Sequence, residues 1–183
     1  EGTALNQRLC LLHWLRRALR LCPQFVSHQF TPALKTALKQ LGIARPLYDD
    51  ANLRALIGFC SRKLQRQFEC RDVQFLQLYL QYCLIQHQLG NTPQFSHAQR
   101  SWTQSRGEYF TAQEIVRHWK RRVPQGAHVD EQLFLALLFM MLRTPDPVLD
   151  KHQQDQRLRR AIVRMVARFR SQTEIGRASC RER

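Results

Sequence analysis

An all-α helical bundle of six to seven helices is the fold class this sequence predicts, and three observations carry that expectation. Gly and Pro each occur only seven times in 183 residues, too few for a turn-rich all-β chain, while Leu, Gln and Arg favour helices. Apolar residues recur at helical spacing, and no run alternates convincingly with period two, so no sheet is expected. A chain of this length can bury roughly 70% of its unfolded surface, enough for a core without staples.

The elements follow in order. Asn6 to Leu21 carries Leu9, Leu12, Leu15 and Leu19, with Arg16, Arg17 and Arg20 in its last turns, where cations favour a helix C-terminus. The next helix is expected to start with Thr31 as N-cap and Pro32 in the first turn, and to stop at Gly42. A third runs from about Asn52 to Phe68. The fourth opens at Asp72 and ends at Gly90 and Asn91-Thr92-Pro93.

Within that fourth helix Gln74, Gln77, Gln81 and Gln88 form an uncharged polar stripe among large apolar residues, which suits a half-buried packing surface or an interface. A loop of about 15 residues follows. Tyr109 to Arg122 reads as the fifth helix, broken by Pro124-Gln125-Gly126. Asp130 is expected to cap the sixth, EQLFLALLFMMLR, which has no wide polar face and must be central. Thr144-Pro145-Asp146-Pro147 stops it. A seventh begins near Asp150, with a packing stripe from Leu158 to Phe169 and arginines on its solvated side.

The net charge of +15, 29 basic less 14 acidic residues, raises a nucleic-acid reading, since cations that neutralise phosphates release counterions. The arginines are nevertheless spread over every expected helix and form no groove-reading strip. The longest apolar run, Leu133 to Leu142, is about half of what a membrane span needs. No secretion signal leads the chain, so no membrane association and a cytoplasmic location are expected. The first residue is Glu1, and an upstream part is expected to be missing.

Little catalytic chemistry is indicated. The six cysteines include no CxxC pair and the seven histidines no HxxxH pair, so no metal, disulfide framework or other cofactor is expected. Neither a GxSxG turn nor a Gly-rich phosphate cradle is present. The chain is therefore not expected to be an enzyme. His87, near the end of the fourth helix, reads first as a surface or capping histidine.

Three runs carry a family resemblance: FECRDVQFLQLYLQYCLIQHQLG (Phe68–Gly90), GEYFTAQEIVRHWKRRV (Gly107–Val123) and VDEQLFLALLFMMLR (Val129–Arg143). Together they resemble the phosphotransferase-system regulation domain (PRD) of bacterial transcriptional regulators of the BglG and MtlR types. The order matches: a helix opening with Arg-Asp, one entered through Glu-x-x-x-Ala, and an acidic-led apolar helix. The resemblance implies a PRD-type helical domain over residues 50–146, a helical linking segment at 1–49, and at 147–172 the first helix of a truncated second such domain.

GTALNQRLCLLHWLRRALRLCP and LYDDANLRALIGFCSRKLQRQFECRD extend the likeness over residues 1–172 to a longer regulator, of which this chain would be a middle fragment. Residues 173–183 resemble translated cloning sequence.

Such domains receive phosphate on histidines from the phosphocarrier HPr or a sugar-specific IIB protein, and the event shifts dimer packing. The resemblance therefore implies a homodimer through these helices, contact with phosphotransferase-system proteins, and nucleic-acid binding through the missing N-terminal part. The acceptor positions carry over poorly. The first falls on Tyr79, or with a slip on Leu80 or Gln81; the second, counted from Glu131, falls on Leu138. None is histidine. A relocated acceptor at His87, about two helical turns further on, is the remaining candidate, because a phosphate there would add up to about two negative charges beside the glutamine stripe. The expected role is thus regulation of transcription by protein contacts, without phosphorylation at the usual positions; direct DNA or RNA binding through the basic surface is the alternative.

Overall fold

The computed structural model describes residues 3–123, 126–142, 160, 163–165 and 167, and all that follows concerns these. They form helices α1 (Ala4–Leu21), α2 (Pro23–Phe25), α3 (Thr31–Gln40), α4 (Asp50–Leu64), α5 (Cys70–Gln88), α6 (His97–Gln104), α7 (Gly107–Arg122) and α8 (His128–Met141), with no strand among the described residues. No helix is long and apolar enough to cross a membrane. The helix expected at 147–172 and the tail at 173–183 lie outside the described residues, apart from the helical positions 160, 163–165 and 167.

Several boundaries differ from expectation for local reasons. Thr31 is not an N-cap. The chain enters it already helical, through α2 and a π-turn over Val26–Phe30, and the Thr31 N–H bonds the Val26 carbonyl. The starting proline is Pro23, which stands at the first helical position. Pro32 lacks an N–H for the His28 carbonyl and its ring crowds that carbonyl, and the helix is widened just before it.

Gly42 behaves as expected: at φ +68° it lets Ile43 N–H reach Leu38 O at 3.1 Å and its own N–H reach Lys39 O at 3.0 Å. Gly90, at φ +78°, closes α5 in the same way, with Asn91 N–H on Gln86 O at 2.9 Å.

The third helix starts earlier and ends earlier than expected. Asp49 accepts the Ala51 N–H at 2.8 Å as N-cap, and Gln65, left-handed at φ +53°, ends α4 four residues before Phe68. Asp72 lies inside the first turn of α5, not at its cap. Asp130 likewise lies inside the first turn of α8, where its carboxylate takes a 2.9 Å ion pair from Arg100. Part of the expected long loop is α6, held by a reciprocal capping box: Ser96 accepts the Gln99 N–H and Gln99 accepts the Ser96 N–H.

α5 and α8 are the inner helices. Every residue of α8 from Asp130 onward is buried, as its continuous apolar run requires. α5 packs on α1, α3 and α4, while α8 packs on α6 and α7. Leu5, Leu9, Leu12 and Leu15 of α1 and Leu34 and Leu38 of α3 belong to the same core as Phe75, Tyr79 and Phe134. The first 49 residues thus contribute helices to the bundle's own core.

Candidate functional site

Tyr79, Leu80, Gln81 and Leu138, the acceptor-equivalent positions, are all buried. Tyr79 stacks on Phe75 with ring centroids 5.1 Å apart, and its ring lies 6.3 Å from that of Phe134, one turn ahead of Leu138 on α8. Its hydroxyl donates to the Arg8 carbonyl at 2.6 Å. Burial, followed by the neighbouring Cys83, holds the phenol well above its ordinary range, so it stays protonated.

The glutamine stripe divides. Gln74 and Gln88 are exposed and Gln77 half-buried, while Gln81 is buried, with its Nε2 donating to Gln77 O at 2.8 Å and its Oε1 unpartnered.

His87 is 1% exposed, which corrects the reading of it as a surface side chain. It belongs to a polar cluster at one end of the bundle, built from three helices and a loop. α1 supplies Arg8, α5 supplies His87, the turn after α5 supplies Asn91 and Thr92, and the first turn of α8 supplies Glu131. The Arg8 guanidinium grips the Glu131 carboxylate with both terminal nitrogens, Nη1 on Oε1 and Nη2 on Oε2 at 3.0 Å, and Nη2 also donates to Asn91 O at 3.1 Å. The guanidinium lies over the Phe134 ring at 4.9 Å.

Oε2 of Glu131 also accepts the Thr92 hydroxyl at 3.0 Å and lies 3.2 Å from His87 Nδ1. Burial pushes this carboxyl up, but the contacts from His87 and Arg8 outweigh it and hold Glu131 below the ordinary range. The pair is therefore ionic.

The other face of the imidazole is distinctive. His87 Nε2 has no hydrogen-bonding partner, and the ring lies against Gly126, where a Cβ would fall 2.8 Å from Cε1 and 2.9 Å from Nε2. Gly126 itself is exposed. His128 sits edge-on at 4.9 Å between centroids, with its own Nε2 2.9 Å from Val123 O, and Trp119 closes the far side at 5.9 Å. Among the described residues no group of three His, Cys, Asp or Glu could hold a metal ion.

Sequence reading missed Arg8, Thr92 and the role of Glu131. One local signal exists: Arg8 falls at i−4 and i−7 from Leu12 and Leu15, inside the apolar stripe of α1. A charge in such a stripe requires a buried partner. The identity of that partner, 123 positions away, has no local signal.

The bundle order, the acidic first turn of α8 and the apolar surroundings of Tyr79 and Leu138 agree with a family match over residues 54–141. These residues are a PRD domain. The PRD domain so bounded contains α5 to α8 and most of α4, and leaves α1 and α3 outside. Arg8 therefore reaches into the PRD domain from beyond its matched limits.

The chain is also 62% identical over 170 residues to the stationary phase-inducible protein CsiE of Escherichia coli (strain K12), a match that takes in 93% of this chain and 40% of that protein. The chain spans less than half the length of that relative. No solved structure matches it.

Proposed function

We propose that this chain is the regulatory module of a bacterial transcriptional regulator, without enzymatic activity, that works through protein contacts and receives no phosphate at the positions equivalent to the family's acceptors. The PRD domain and the likeness to a stationary phase-inducible protein support a regulatory role. One observation carries the rest: Tyr79 and Leu138 are fully buried among apolar side chains and serve as packing groups. Leucine has no nucleophile, and a neutral buried phenol is a poor substitute for imidazole in exchange with a phosphohistidine.

On this reading the module acts as a cytoplasmic homodimer through PRD helices, and an upstream part absent from this chain contacts nucleic acid. Incubation with HPr, enzyme I and phosphoenolpyruvate, followed by mass measurement under non-acidic conditions, tests it. An unchanged mass is expected. Gain of one phosphate overturns the reading, and its loss in His87→Gln assigns it to His87, whose Nε2 has no hydrogen-bonding partner and lies against Gly126.

A further inference from the structure

The buried face of α1 holds two polar residues among its leucines, Asn6 and Arg8. Asn6 Oδ1 has no hydrogen-bonding partner. Arg8 is held by Glu131 of α8, by Asn91 O at 3.1 Å and by the Phe134 ring under its guanidinium, and Tyr79 of α5 donates to its carbonyl. Every polar hold on the buried face of α1 is thus centred on one residue.

The apolar residues of α1 recur in steps of three: Leu9, Leu12, Leu15, Ala18 and Leu21, with Leu11 beside them. Three residues turn a helix through about 300° and advance it about 4.5 Å, so a slip of three returns to within about 60° of the same face. In such a slip the buried places of Asn6, Arg8, Leu9, Leu12, Leu15 and Ala18 pass to Leu9, Leu11, Leu12, Leu15, Ala18 and Leu21. Each is then Leu or Ala. Leu21, 63% exposed in the observed register, becomes buried, and Leu19 takes the half-buried place of Arg16, over the Phe75 ring. Arg8 moves to the place of Leu5 in the first turn, where a long cationic side chain can reach out to water.

The slip also has costs. Ala18 replaces the larger Leu15, and Trp14 loses its packing on Phe25 and Phe30. These losses are of the same kind and order as the gains from burying Leu11 and Leu21, so apolar packing alone leaves the two registers close in energy. Other slips do not compete: a slip of four brings His13 to the place of Leu9, and the reverse slip of three brings Asn6 there. Glu131 decides between the two that remain. Its carboxylate is fully buried, and in the slipped register it would face Leu11 with the guanidinium withdrawn, which costs far more than the packing differences.

We infer that the Arg8–Glu131 pair is a register lock, holding α1 against a slip of three residues that its apolar pattern allows. α1 is thus a two-position element, and the charge on Glu131 selects the position. A single buried polar contact that fixes the register of an otherwise apolar helix contact is the best-attested use of such pairs. The lock spans the edge of the family match, so the first turn of α8 sets the axial position of a helix that lies outside residues 54–141. This goes beyond the protein-contact reading given above, and the phosphotransfer assay does not bear on it.

Nuclear magnetic resonance of the whole chain reads the register directly, as the α1 residue whose protons approach the Tyr79 ring. Residue 8 alone is expected in the parent chain. Arg8→Met with Glu131→Leu replaces both charges by apolar groups of similar size and should leave the chain folded. In that variant a second set of α1 signals is expected, with the Tyr79 contact moved to residue 11. Adding Leu21→Lys, a surface change in the observed register and a buried charge in the slipped one, should return the contact to residue 8. A contact that stays at residue 8 in the double variant, or persists at residue 11 after Leu21→Lys, overturns the inference. So does a double variant that fails to fold, because the pair then holds the fold and not the register.

Discussion

Arg8 and Glu131, 123 positions apart, form a two-pronged ion pair that is closed off from water on both sides. It joins a helix outside the PRD match to the first turn of the most buried helix within it. Removing one partner strands the other charge in the core, so Arg8→Ala is expected to cost roughly 3–5 kcal/mol. Urea unfolding followed by circular dichroism measures it. A loss under about 1 kcal/mol would mean that the pair is solvated in solution.

Acidity acts on the same pair. The Glu131 carboxyl is lowered in the fold, so its contribution is fully present above the unfolded value, 4.5, and is lost as pH falls through the lower folded value. Glu131→Gln should therefore destabilise strongly at neutral pH and much less, relative to the parent chain, as pH falls below 4.5. Unfolding curves of both proteins across that range give the comparison; a gap that stays constant with pH would assign the effect to shape and not to charge.

Gly126 is required twice over, by its φ of +155° and by the His87 ring within 3 Å of any Cβ placed there. Gly126→Ala is expected to cost about 1–3 kcal/mol through strain and displacement of the ring. His87→Ala removes the obstacle but not the strained φ. A double-mutant cycle should then show positive coupling, and simple additivity would mean that the turn moves away from the ring at no cost.

The Tyr79 hydroxyl reaches the Arg8 carbonyl at 2.6 Å in a fully buried setting. Tyr79→Phe keeps the stack on Phe75 and removes that one hydrogen bond, for an expected loss of about 0.5–1.5 kcal/mol. Tyr79→Ala should lose about 3–5 kcal/mol because it also opens a cavity. Thermal unfolding of the two variants separates the hydrogen bond from the packing.

Ser96→Ala removes one half of the capping box that begins α6 and should cost about 1 kcal/mol. Hydrogen exchange should rise first at Gln99 and Arg100, whose N–H groups bond the Ser96 side chain and carbonyl.

Much of this protein was determined by local sequence. The apolar run from Leu133 to Leu142 dictates a helix buried all round, the glycines at 42 and 90 dictate where α3 and α5 turn, and the order of helices carries the PRD resemblance. These are effects of residues within a few positions of one another, where periodicity and backbone freedom decide. Signals that compete locally were read less well: Thr31-Pro32 looks like a helix start, yet the packing of Val26 and Phe30 carries the helix through it, and Ser96-x-x-Gln99 was hidden in a polar stretch.

The cluster at the end of the bundle was settled only by tertiary structure. Nothing near His87 in the chain announces that its side chain is buried, because the groups packed against it, Trp119 of α7, Gly126 of the α7–α8 connection and Glu131 of α8, arrive from elsewhere in the chain. Arg8 shows the same division: its place in an apolar stripe says that a buried charge needs a partner, and only the approach of α1 to α8 says which. Charge pairing in a core depends on where helices meet in space, and the sequence spacing of the partners carries no record of it.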